Sequence, residues 1–124
     1  MNAIYPYIKQ VYGDILINTT VGMSYDEFIQ TSLTNNNQCL IVFNGFTEID
    51  RYETYGVFAD KYSIFIRLPR AEDSKHKEFR NLIDGATIQD DEGYKLINVT
   101  SGDYIRPDKS IIIFEVRLEC YPLS

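Results

Sequence analysis

The sequence has a single histidine, two cysteines, no tryptophan and no long apolar run. Each shortage removes a class of function. The longest uninterrupted apolar stretches, such as Leu40 to Phe43 and Ile111 to Phe114, fall far short of the roughly 20 residues a helix needs to span a bilayer. No membrane partner is therefore expected. A nucleophilic triad needs an oriented base, yet His76 stands between Lys75 and Lys77, where nothing nearby in sequence orients it. It reads as a solvated surface residue. Cys39 and Cys120 make no C-x-x-C or other metal-ligand spacing, so two reduced, buried thiols are expected.

Phosphate-cradling glycine loops are missing in both common forms, G-x-x-x-x-G-K-[ST] and G-x-G-x-x-G, which leaves nucleotide binding without support. Positive charge is also short. Twelve Lys and Arg face eighteen Asp and Glu, a net charge of -6 that has the wrong sign for gripping nucleic acid by an extended basic face. The basic residues between Arg67 and Arg80 are interleaved with Glu72, Asp73 and Glu78, as on a mixed-sign surface. The acidic run Asp90-Asp91-Glu92 lacks calcium-loop spacing and reads as a solvated hairpin turn. The opening residues, MNAIYPYIKQ, lack the features of a secretory signal, so the sequons at Asn18 and Asn98 are read as chance. No catalytic, cofactor or metal constellation emerges, and the chain is not expected to be an enzyme.

What is present is ordinary globular composition. The 124 residues are 44% hydrophobic and 24% charged, which fits one ordered domain over residues 1–124 with one core. Ile4, Ile8, Val11, Tyr12, Ile15 and Leu16 recur at helical spacing. A capping box of Ser24 and Glu27, with Met23 and Phe28 as a hydrophobic staple, predicts a second helix from Ser24 to Leu33. Cys39 to Phe43 reads as the central strand. Thr47 to Tyr55 reads as a charged and aromatic connection, and Gly56 opens a long strand in which Tyr62, Ile64, Ile66 and Leu68 alternate with more polar residues. A helix capped by Asp73 or Ser74 follows, ending before Gly85. Tyr94 to Thr100 and the final segment, in which Ile112, Phe114, Val116, Leu118 and Cys120 share a face, complete the pattern, with a turn at Arg106 to Lys109. The predicted class is α+β: a single domain with a largely antiparallel four- to five-stranded sheet, helices packed on one face, in the order α-α-β-β-α-β-β.

The aromatic content, ten Tyr and seven Phe, exceeds what a small core obviously hides. Ile49, Tyr52, Tyr55 and Phe58 are the candidate interface residues, because tyrosine offers wide amphipathic contact at small entropic cost. The alternative for these rings is that they fold back on the sheet.

The layout of a first strand at Cys39 to Phe43, a long second strand ending at Leu68-Pro69, the helix Lys75 to Asp84 and a closing hairpin from Tyr94 to Tyr121 resembles the tail-terminator or tail-completion proteins of long-tailed bacteriophages. The likeness covers most of the chain and is one of element order and size. It implies a structural virion protein without catalysis or cofactor, a subunit of a homo-oligomeric ring, commonly a hexamer, at the head-proximal end of the tail. Its partners would be the tail-tube protein and the head-side connector, in a neck assembled in the bacterial host cytoplasm, with DNA passing through the channel without sequence-specific binding. Two other readings fit the sequence: a small adaptor that binds one partner by strand addition at a sheet edge, and a small α+β ligand-binding domain.

Overall fold

A computed structural model describes residues 4–12, 16–18, 26, 38–72, 74–91 and 93–123. The elements are α1 (Ile4–Tyr12), β1 (Leu16–Asn18), β2 (Gln38–Arg51), β3 (Gly56–Pro69), a 3-10 turn (Arg70–Glu72), α2 (Lys75–Ile83), β4 (Thr87–Asp90), β5 (Gly93–Asp108) and β6 (Ile111–Pro122). The strands form one sheet in the order β1-β2-β3-β6-β5-β4. Five of them, β2 to β6, make an antiparallel run, and the three-residue β1 adds to β2 in parallel. The class is a mostly antiparallel sheet with two short helices.

The alternation in β3 sets the two faces. Tyr62, Ile64, Ile66 and Leu68 lie opposite Leu118, Val116, Phe114 and Ile112 of β6 and share their cluster. Ile4 and Ile8 of α1 and Phe79 and Ile83 of α2 are buried in the same cluster. On the second face Leu40, Ile111 and Ile113 form a smaller cluster, against which Val42 and Phe65 pack. Ser63, 2% exposed on that face, is satisfied: its hydroxyl accepts from the Asn44 amide and donates to Glu115 Oε2 at 2.9 Å. Arg117 then donates to Glu115 Oε1 at 2.7 Å and to Ser101 Oγ at 3.2 Å. A polar chain thus crosses β2, β3, β6 and β5.

Several boundaries differ from the sequence reading. The centre of the sheet is β3 and β6, not the Cys39 to Phe43 strand. Cys39, Leu40 and Ile41 are nevertheless all buried, because β1 pairs on their outer side and each sheet face carries an apolar cluster. β2 does not stop at Phe43 but runs to Arg51. Register shifts between Phe43 and Phe46 and between Glu48 and Asp50 break the period-two pattern, so the distal half resembles a loop in sequence. Gly45 supplies the positive φ, 94°, at the first shift. β5 likewise continues past Thr100 to Asp108, with shifts after Val99 and after Ile105. Pro107 is tolerated at the second irregularity. The turn falls at Lys109 and Ser110, where Asp108 accepts from the Ser110 N–H at 3.0 Å, holding its carboxyl below the usual carboxylate range.

The first helix ends at Tyr12, and Leu16, predicted to extend its stripe, instead opens β1. A three-residue strand is too short to reveal its own period, so its first apolar residue was absorbed into the helical one. Ile15 lies outside the described residues. So does the predicted helix from Ser24 to Leu33, apart from Asp26, which is helical. Ser74 is the N-cap of α2 but makes no side-chain capping bond, while Asp73 lies outside the described residues.

The register excludes a disulfide. Cys39 lies opposite Ile66 and Asp60 opposite Cys120, so the two thiols sit six residues apart along β3 and on different flanking strands, a separation of roughly 20 Å against a limit near 7 Å. Burial pushes both thiols up from 9.0 to about 12. Their contribution to stability is complete below about pH 9 and is lost as pH rises toward 12, because only the folded state resists their ionisation. A thiol reagent at pH 8 is expected to label neither cysteine in the native protein and both after denaturation without reductant. A second expectation concerns Gly102, where an added Cβ would meet the Glu115 carbonyl oxygen at 2.8 Å. Gly102→Ala should lower stability by about 1–3 kcal/mol, read as a shift in denaturant midpoint, because two paired strands must move apart.

Candidate interaction surface

β6 pairs with β3 only from Asp60 onward, so Gly56 to Ala59 are paired with β2 alone. The end of the β2–β3 hairpin is therefore a two-stranded arm. A ribbon of this kind has little stability of its own in water. Its turn is closed by the Tyr52 N–H donating to the Tyr55 carbonyl at 2.8 Å, and Arg51 pairs with Glu48 beside it.

All four sequence-predicted interface residues lie on this arm and are exposed: Ile49 by 40%, Tyr52 by 51%, Tyr55 by 58% and Phe58 by 41%. They do not fold back into the core. Their rings meet one another instead, with Tyr52 and Tyr55 at 5.0 Å between centroids. Two further rings, Phe43 and Phe46, are exposed by 53% and 63% and were not singled out in the sequence. Phe46 meets Phe58 edge-on at 5.3 Å, and Phe43 meets Tyr62 edge-on at 5.4 Å. The register places Phe43 opposite Tyr62, Phe46 opposite Asp60 and Glu48 opposite Phe58. The first bulge thus keeps Phe43, Phe46 and Phe58 on the face that carries the main core, extending it outward as an uncovered aromatic row. The signal that could have found the two extra rings was their position on either side of Asn44-Gly45, a dipeptide suited to a bulge as much as to a turn.

The sheet edges are guarded by carboxylates. Beyond Leu96, β5 has no outer strand partner among the described residues, yet Asp84 accepts from the Val99 N–H at 3.0 Å and Asp103 from the Tyr104 N–H at 2.8 Å. On β2, Asp50 accepts from the Arg51 N–H at 2.8 Å. Backbone donors that would template another strand are partly occupied.

A cleft of about 420 Å³ lies between α2 and β5, with His76, Arg80, Asp84, Gly102, Tyr104 and Phe114 among its lining. His76 differs here from its sequence reading as a solvated residue. It is half-buried, its ring stacked on Phe114 at 4.0 Å with planes 15° apart. Its lysine neighbours put it on an exposed turn in the sequence reading, whereas its i, i+3 spacing to the buried Phe79 sets it on the same face of α2, with Phe114 of β6 beneath it. Among the described residues, no group of three or more His, Cys, Asp or Glu side chains is placed to hold a metal ion. Asp90 pairs with Lys95 at 3.0 Å beside the β4–β5 turn, which accounts for part of the acidic run.

The contrast between arm and core is measurable. Phe46→Ser should change stability by about 1 kcal/mol or less, since it forfeits one exposed ring pair, whereas Phe114→Ala should cost about 3–5 kcal/mol, both read from denaturant midpoints. Comparison with protein-family models and with curated proteins finds no match to this chain.

Proposed function

We propose that this protein is a structural subunit of a phage neck, a tail terminator or tail-completion protein that forms a ring on the last layer of the tail tube and joins it to the head connector. In this reading both helices cover one face of the sheet, and the arm reaches a neighbouring subunit or the tube. The observation that carries it is the arm itself. Four large apolar side chains stand exposed on a two-stranded ribbon, with Phe43 and Phe46 exposed where it leaves the sheet, and no other described element covers them, which is how a subunit interface appears before assembly. A mostly antiparallel sheet with two short helices is compatible with the same reading, and a net charge of -6 suits a channel through which DNA slides without sticking.

Strand addition by an adaptor has less support, because Asp50, Asp84 and Asp103 already hold backbone donors along the open edges. A small-ligand reading draws on the cleft beside His76, but of its acidic groups Asp84 and Asp103 are engaged with backbone amides and Glu115 with Ser63 and Arg117.

Purified protein added to tails lacking their terminator is expected to cap them at uniform length and permit head joining. The double variant Tyr52→Ala, Tyr55→Ala should keep its fold and bind tail ends about tenfold or more weakly, because buried aromatic anchors dominate interface energy. Failure of folded wild-type protein to bind tail ends would falsify the terminator reading.

A further inference from the structure

Charge is unevenly divided between the two ends of the sheet. β3 runs from Gly56 on the arm to Pro69, a length of roughly 40 Å at about 3.3 Å per residue. Beside the arm lie Glu48, Asp50 and Glu53, with Asp90 and Asp91 at the neighbouring β4–β5 turn. The cations there are paired with acids of the same end, Arg51 with Glu48 and Lys95 with Asp90 and Asp60.

The opposite end gathers cations. Arg70 follows β3, and its N–H donates to the Ser110 carbonyl at 2.9 Å, which holds it beside the β5–β6 turn carrying Arg106 and Lys109. The side chains of Arg70 and Lys109 have no ion-pair or hydrogen-bond partner among the described residues. Acids near this end are Asp108, already engaged by Ser110, Asp103, engaged by the Tyr104 N–H, and Glu78 on α2, with Glu72 and Asp73 in the connecting stretch of sequence. Apolar surface is exposed here too: Tyr104 by 52% and Ile105 by 36%, with the Arg106 guanidinium 5.3 Å from the Tyr104 ring centre.

We infer that the arm of one copy docks on this basic end of a second copy. Tyr52, Tyr55 and Phe58 meet Tyr104 and Ile105, while Asp50 and Glu53 face Arg106 and Lys109. The occupant is another copy because each chain carries both halves of a complementary pair, acidic and aromatic at one end, basic and aromatic at the other. The two halves are too far apart to meet within one chain. Such a contact is head to tail, and it closes into a ring when the rotation between copies permits. The inference deepens the ring reading and rests on it for that closure.

The experiment is a charge swap followed by sedimentation velocity at low ionic strength, where exposed charges act over the longest range. Wild-type protein should self-associate, and added salt should weaken the association. Asp50→Lys with Glu53→Lys, and separately Arg106→Glu with Lys109→Glu, should each weaken self-association about tenfold or more, since like charges then face each other. An equimolar mixture of the two variants should associate again, because each supplies the end the other now complements. That recovery also shows that both variants are folded. A monomeric wild type, variants that associate as wild type does, or a mixture that stays monomeric would each overturn the docking contact. Tail-end capping reads the ring function separately, so either proposal can fail while the other stands.

Discussion

The pairing of β3 with β6 is the constraint on which the rest of the molecule depends. Asp60 to Pro69 and Ile111 to Cys120 run in unbroken antiparallel register, without the bulges that interrupt β2 and β5. Because side chains alternate along a strand, this one register decides which residues go to each face. It sends Tyr62, Ile64, Ile66 and Leu68 to the main core, where they meet side chains of both helices. A slip of one residue would place Ser63 and Arg67 there instead. The opposite face would then receive the apolar row, and the polar chain from Asn44 through Ser63 and Glu115 to Arg117 would be broken.

The two outer strands accommodate this rigid centre by being irregular. Both β2 and β5 pass the limits of the regular pairing by inserting bulges, and in each case the bulge determines what the extension presents. In β2 it keeps Phe46 on the core side of the sheet with Phe43, where the pairing of β3 with β6 reaches its last residues, and the apolar face there is exposed with no other described element over it. In β5 the close approach of Gly102 to the Glu115 carbonyl keeps the hairpin paired beyond the shift and carries Tyr104, Ile105 and Arg106 to the far end. The distinctive surfaces of this protein are therefore both products of irregular strands held against a regular one.

Exposed strands carry a hazard that the same structure contains. Long open edges invite uncontrolled pairing, and aspartates beside exposed amides reduce it by accepting those protons themselves. Association is thereby directed away from the backbone and toward side chains, where aromatic area supplies attraction and charge supplies direction. The proposed ring subunit would need this division, since a sheet that could grow at any edge would not stop at a defined structure.

How much of this was legible in the residues depends on the length scale of the cause. The alternation of Tyr62 to Leu68 and of Ile112 to Cys120, the amphipathic stripes from Ile4 and around Phe79, and the surplus of rings between Ile49 and Phe58 are local patterns. They depend on strand and helix periods that any chain obeys, so the mostly antiparallel sheet could be read directly and the aromatic segment singled out, while whether its rings stood outward or folded back on the sheet was left open. The order of strands could not, because it depends on which strand meets which across long sequence separations. That is why Cys39 to Phe43, apolar enough for a central strand, was misplaced. Bulges hid the true lengths of β2 and β5 by breaking the period that reveals a strand, and with them the contributions of Phe43 and Phe46. His76 was misread for a similar reason: its own neighbours are lysines, but the ring against which it stacks is supplied by β6. Local chemistry decided what each segment could become, and tertiary pairing decided which groups met, because contacts between distant residues are chosen by register and packing that no single segment contains.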